Sequence, residues 1–161
     1  MTDPLTLRKM KPEDLPRCME ILEKWNMAPV PETGDHAHPE PERSYIHLKN
    51  AIVALSGDRI VGVCSYMDRT ETLAETANLA VDPEFQGKGV GYQLQKARLR
   101  EMKERGFKRV RTETDRPATI QWYVRKFGYR IVKKIEKKYP FSLKDVHFWT
   151  RLEMDLEDYR D

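Results

Sequence analysis

The chain has 161 residues, of which 39% are hydrophobic and 34% charged, with a formal net charge of +3. That length suits one domain with a real core, and the composition is globular rather than disordered. No apolar run reaches the roughly 20 residues of a membrane helix, and MTDPLTLRKM lacks a signal-peptide core, so no membrane partner is expected and the cytoplasm is the expected location.

Leu5–Met10 alternates loosely and predicts a first strand. Pro12-Glu13-Asp14 suits a helix start, and Leu15, Cys18, Met19, Leu22 and Trp25 recur at helical spacing. Residues 28–42 carry Pro29, Pro31, Gly34, Pro39 and Pro41 and are expected to form an irregular loop. His36 and His38 within it lack an obvious third ligand, so no metal is expected. Ser44–Lys49 reads as a short helix. Ala51–Leu55, Ile60–Met67 and Thr76–Val81 read as strands, the first two joined by a turn at Ser56-Gly57-Asp58.

A helix follows from about Gly89 to Arg105, closed by Gly106. Arg109–Thr114 reads as a strand, Ala118–Lys126 as a helix ended by Gly128, and Arg130–Lys134 and Phe148–Leu156 as final strands. This order implies an α/β or α+β domain around a mixed sheet, with no repeat and no internal linker. Cys18 and Cys64 are too few for a disulfide framework and are expected to be buried and inert. Arg125, Lys126, Arg130, Lys133, Lys134, Lys137 and Lys138 form a basic stretch broken by Glu136. It accompanies no recognised nucleic-acid motif, so solvent is its expected environment and no nucleic acid is expected as a partner.

The informative segment is Gln86-Gly87-Lys88-Gly89-Val90-Gly91, between a strand ending at Val81-Asp82-Pro83 and an amphipathic helix. Glycines permit close backbone approach, and the first amides of a helix lack internal partners, so the turn is suited to an anion such as pyrophosphate. No Lys-Ser or Lys-Thr follows the glycines, which excludes a P-loop, and the Gly-x-Gly-x-Gly spacing departs from the dinucleotide fingerprint. A turn that binds no ligand stays open on the glycines alone.

The segment resembles the Gln/Arg-x-x-Gly-x-Gly/Ala signature of the GCN5-related N-acetyltransferases. Leu79-Ala80-Val81-Asp82-Pro83 before it is similar too, as are the helix end Lys103–Phe107, the strand Val110–Thr114, the aromatic helix ending at Gly128-Tyr129 and the opening Met10–Pro16. The resemblance implies a single domain over residues 1–161: a mixed, mostly antiparallel sheet of six or seven strands, flanked by helices and splayed at the acetyl-CoA site. It implies an acyltransferase that moves acetyl from acetyl-CoA to a primary amine, with a catalytically silent acyl-CoA-binding module as the alternative.

Under that resemblance, Leu79, Ala80 and Val81 pair with the pantetheine arm. Gln86, Gly87, Lys88, Gly89, Val90, Gly91 and Tyr92 hold the pyrophosphate. The acceptor is an unidentified small amine, amino acid or protein amine, and a homodimer is compatible with the family; separately, the acids between Glu32 and Glu42 would attract a cationic acceptor if loop 28–42 covers the site. An alkylammonium must lose a proton before it attacks. Glu75, eleven residues before Gln86, stands at the spacing of the histone acetyltransferase base, with Asn78 and Glu113 as lesser candidates for substrate or water contacts. Tyr123 is the expected acid for the departing thiolate. The family's tyrosine position is filled by Val124, one residue later, and a π-bulge in the helix would absorb the offset.

Overall fold

The computed structural model describes residues 3–27, 29–32, 45–138 and 141–160. The elements are β1 (Leu5–Lys9), α1 (Leu15–Glu23), β2 (Val30–Glu32), β3 (Tyr45–His47), β4 (Ala51–Ser56), β5 (Arg59–Asp68), β6 (Leu73–Val81), α2 (Val90–Glu104), β7 (Arg109–Thr114), α3 (Pro117–Phe127), β8 (Arg130–Glu136) and β9 (Phe148–Asp155). Seven strands are hydrogen-bonded in the order β1-β4-β5-β6-β7-β9-β8. β6 and β7 run parallel, whereas β1/β4, β4/β5, β7/β9 and β8/β9 run antiparallel. The sheet is therefore mixed and mostly antiparallel, as expected. The β6–β7 ladder covers only Leu73↔Arg109 to Glu75↔Arg111, while β6 itself continues to Val81.

The chain forms two compact units. The first comprises Met1–Met67 and Ala77–Arg98. Its β4 and β5 are buried on both faces, which is why their sequences are nearly continuous apolar runs. One cluster gathers Cys18, Ile21 and Leu22 of α1 against Val53, Ile60, Val63 and Ala80. The other gathers Val90 and Leu94 of α2 against Ile52, Ala54, Val61 and Cys64. Gly62 permits the second contact: a Cβ there would stand 2.9 Å from both Leu94 Cδ1 and Val90 Cγ1. Arg98 is wholly buried in this unit and donates to Ser65 O at 3.0 Å, to Asn78 O at 3.2 Å and, through Nε, to Gln95 Oε1 at 3.0 Å.

The second unit comprises Asp68–Thr76 and Leu99–Asp161. Leu99 and Met102 of α2, Val110 of β7, Tyr123 and Phe127 of α3, and Leu152 and Met154 of β9 are all buried here. β8 is the terminal strand of the sheet, with Arg130, Lys133 and Lys134 exposed, as Arg125, Lys126 and Lys138 are. Lys137 is the exception among the basic residues. Its Nζ donates to Asp115 at 2.6 Å, Phe141 O at 3.0 Å and Leu143 O at 2.8 Å, and sits 4.5 Å from the Trp149 ring centre.

Three sequence expectations need correction. Tyr45–His47 is a strand, not a helix, and only Leu48–Asn50 turns, as a 3-10 turn. Its strand partner, Val30–Glu32, interrupts the expected irregular loop, and the two pair in parallel. A three-residue strand tolerates Pro31 because so short a ladder needs few amide donors. α3 is a regular α-helix from Pro117 to Phe127 with no π-bulge. It closes when Gly128 N bonds Val124 O and Tyr129 N bonds Tyr123 O. Residues 33–44, including His36 and His38, lie outside the described residues.

Candidate active site

In the first unit, β6 ends at Val81 and Asp82 caps a 3-10 turn, Pro83–Phe85, accepting the Glu84 amide at 3.1 Å. Asp82 is fully buried, and its amide donates to Val61 O at 2.8 Å. Arg17 Nη2 reaches its carboxylate at 2.6 Å, Arg59 Nη2 at 3.4 Å and Lys24 Nζ at 3.6 Å. Burial alone would raise the Asp82 pKa. The Glu84 amide, the Arg17 hydrogen bond and the charges of Lys24 and Arg17 outweigh it and hold the group below its ordinary value. Trp25 Nε1 donates to Val81 O at 2.8 Å, so the turn after α1 grips the end of β6.

The glycine-rich turn follows. Gln86 N is spent on Pro83 O at 3.4 Å, and the first bond of α2 runs from Gln93 N to Gly89 O at 3.1 Å. The amides of Val90 and Gly91 thus precede the first bonded turn, at the positive end of the helix dipole. No acid stands in that turn. Gly87 and Gly89 have φ of +79° and +82°, which L side chains rarely adopt, and a Cβ on either would meet nothing within 4 Å. Open space beside the glycines, helix-start amides without a helical partner and a first turn free of acids together suit an anion. Lys88 Nζ lies 5.1 Å from the Phe85 ring centre, and Lys96 Nζ lies 5.4 Å from that of Tyr92.

In the second unit, one face of β7 carries a charge cluster. Arg111 Nε donates to Glu75 Oε1, and Arg69 Nη2 holds Glu75 Oε2 at 2.8 Å. Both Glu75 oxygens are therefore occupied. Glu113 is held on one oxygen only: Arg151 Nε and Nη2 both approach Oε2, at 2.7 and 2.6 Å. Burial pushes the Glu113 pKa above its ordinary value, and the nearby Glu75 charge adds to this. Arg151 and Arg111 only partly oppose the rise. Tyr123 is buried, its ring 5.1 Å from Trp122 and 4.9 Å from Tyr129.

The profile of the Acetyltransferase (GNAT) family matches residues 12–129. The chain belongs to that family. As a GNAT protein it is an acyltransferase whose acetyl donor is acetyl-CoA. Its fold is similar to that of Ard1 from Thermoplasma volcanium, with 21% identity and a TM-score of 0.73 over 94% of this chain and 97% of the other. The ribosomal-protein-S18-alanine N-acetyltransferase from Escherichia coli aligns at 17% identity and a TM-score of 0.74, covering 98% of this chain and 100% of the other. N-acetylglutamate synthase from Neisseria gonorrhoeae, complexed with coenzyme A and L-arginine, aligns at 16% identity and a TM-score of 0.65. That match covers 92% of this chain and 33% of the synthase. No curated protein matches the sequence.

The GNAT signature thus sits where the sequence placed it, at a strand end and a helix start. Leu79, Ala80 and Val81 are the last residues of β6. Gln86 to Gly89 form the turn, and Val90, Gly91 and Tyr92 open α2. Glu75 lies inside β6 rather than at its start, ion-paired on both sides. Asn78 is buried and donates to Ser65 Oγ at 3.1 Å. The arginines around Glu113 escaped the sequence argument, because Arg151 meets Glu113 only through the β7–β9 register. Among the described residues no helix is long and apolar enough to cross a membrane, and no group of three or more His, Cys, Asp or Glu is placed to hold a metal ion.

Proposed function

We propose that the chain acts as a single N-acetyltransferase domain that transfers acetyl directly from acetyl-CoA to a primary amine, with Glu113 as base and Tyr123 as acid. Acetyl-CoA supplies a thioester carbonyl already activated toward amines. The observation that carries the reading is the turn, where positive-φ Gly87 and Gly89 lead into the Val90 and Gly91 amides that precede the first bond of α2. The amides of Gly87 to Tyr92 hold the pyrophosphate, and the backbone of Leu79, Ala80 and Val81 faces the pantetheine arm. Trp25 already occupies Val81 O, so that carbonyl is not available to the arm.

Glu113 receives the ammonium proton on Oε1, an oxygen that accepts nothing from the described residues. Its raised pKa brings the carboxylate closer in proton affinity to the amine, which is what base catalysis needs. Glu75, with both oxygens engaged, anchors Arg111 and adds the like charge that lifts Glu113. The amine nitrogen then bonds to the acetyl carbon, the carbon–sulfur bond breaks, the Tyr123 phenol protonates the leaving thiolate, and the second proton shed by the acylated nitrogen restores the phenol.

The test is thiol release from acetyl-CoA against a panel of amines. Tyr123→Phe is expected to lower kcat by about tenfold or more, with CoA affinity nearly unchanged. Glu113→Gln is expected to lower kcat/KM by about a hundredfold and to abolish its fall on the acid side. Unchanged turnover in either variant removes that residue from the mechanism. Tight CoA binding with no thiol release from any amine would instead mean a silent acyl-CoA-binding module.

A further inference from the structure

Arg111 and Glu113 stand two residues apart on β7, so their side chains leave the same face about 7 Å from each other along the strand. Arg151 is opposite Glu113 in the β7–β9 ladder. With Arg69 and Glu75 they form one cluster, whose side chains are between 11% and 22% exposed. Its charge is three guanidiniums less two carboxylates, one net positive. Arg69 and Glu75 are spent on ion pairs, and Arg151 is turned onto Glu113.

Arg111 differs. It commits only Nε, to Glu75, and neither of its terminal amino groups donates to a described residue. A guanidinium held by Nε in a fixed orientation presents a planar pair of N–H donors beside the base. That geometry matches a carboxylate, which accepts two parallel hydrogen bonds from it. Partial burial strengthens the attraction relative to open water. The same positive balance repels a second ammonium, so a polyamine or a lysine-rich tail meets an unfavourable field at Glu113.

We propose that Arg111 binds the carboxylate of the acceptor, and that the acceptor is a free amino acid with its amine directed at Glu113 Oε1. This rests on the assignment of Glu113 as the base. The substrate class is thus an amine that carries its own nearby anion. Glu75 positions Arg111 for it, and Arg151 keeps Glu113 aimed.

The experiment compares matched acceptors on the full chain: free amino acids, their carboxamides, the corresponding decarboxylated amines, and spermidine. The amino acid is expected to exceed its carboxamide in kcat/KM by about tenfold to a hundredfold, the range of one charge-assisted contact. Arg111→Gln is expected to collapse that ratio toward one, and Arg111→Lys to restore part of it, because charge returns without the planar fork. Equal rates for acid and carboxamide would overturn the proposal, as would a preference for spermidine or an Arg111→Gln loss shared equally by both acceptors. Calorimetry of the amino acid with the CoA-loaded protein gives a readout that needs no turnover. Binding that Arg111→Gln removes supports the carboxylate site even if chemistry fails, and no binding overturns it. Absence of thiol release with every amine counts against the transferase reading instead.

Discussion

Asp115 is buried beyond the end of β7, and three groups converge on it: Lys137 Nζ at 2.6 Å, Ser142 Oγ at 2.7 Å and Leu143 N at 2.8 Å. Lys137 also donates to the carbonyls of Phe141 and Leu143, so a single ion pair ties residues 141–143 to the approach to α3. Both partners are buried, and removing one charge strands the other away from water. Breaking such a pair costs about 3–5 kcal/mol, whereas replacing both partners by apolar groups is often nearly neutral. Asp115→Asn is therefore expected to lower Tm by about 10 °C in a domain of this size. Asp115→Asn combined with Lys137→Met should recover at least half of that loss in a thermal melt. A single variant within about 1 °C of the parent would show that the pair contributes nothing net. Cys18 shows the opposite use of burial: its thiol, pushed up to about 12 mainly by desolvation, stays protonated and packs as a small apolar side chain.

Among the elements, α2 connects packing to ligand binding. Its N-terminus can serve as an anion cradle only if Val90 and Leu94 lie close against β5, and Gly62 provides that closeness. Gly62→Ala places a methyl 2.9 Å from two side-chain ends, an overpacking worth about 1–3 kcal/mol. The strain displaces the first turn of α2, so the KM for acetyl-CoA should rise by about tenfold while the amine KM changes little. Equal changes in both constants would mean that the helix start has not moved. Gly62 is unremarked in a sequence reading because only the fold brings α2 over it. The elements that were legible carried their own punctuation: Asp82-Pro83 ends β6, Gly106 follows α2, and Gly128 closes α3. β3 was not legible, since its partner β2 lies across residues 33–44 in a stretch whose prolines argue against any strand. The cofactor half of the site was readable because a contiguous turn builds it. The charge cluster was not, because Arg69, Glu75, Arg111, Glu113 and Arg151 are assembled from β6, β7, β9 and the turn before β6.

At the scale of the molecule, three carboxylates among the described residues contribute to how stability varies with pH, and they act in opposite directions. Asp14 is held below its ordinary value by the Arg8 hydrogen bonds, at 2.7 and 3.1 Å, with help from the Lys11 amide and against the cost of burial. Asp82 is held down as described above. For both, the unfolded chain binds the proton more readily than the folded one. Their stabilisation is complete above the unfolded value and is lost as pH falls through the lower folded value, below about pH 4. Glu113 has the reverse sign. Its folded pKa is raised, so its contribution is complete below the unfolded value and is lost as pH rises through the folded one. The proposed chemistry needs Glu113 ionised, the state the fold disfavours, so activity should rise over the same pH window in which this contribution to stability declines. Unfolding free energies from urea titrations at stepped pH, measured beside kcat/KM, test this. Asp14→Asn is expected to flatten the acid-side loss of stability and leave the shape of the activity profile intact. Glu113→Gln should remove the opposing decline together with the activity rise, since one proton accounts for both. If either effect of Glu113→Gln appeared without the other, the group that tunes stability in that window would not be the group that accepts the proton.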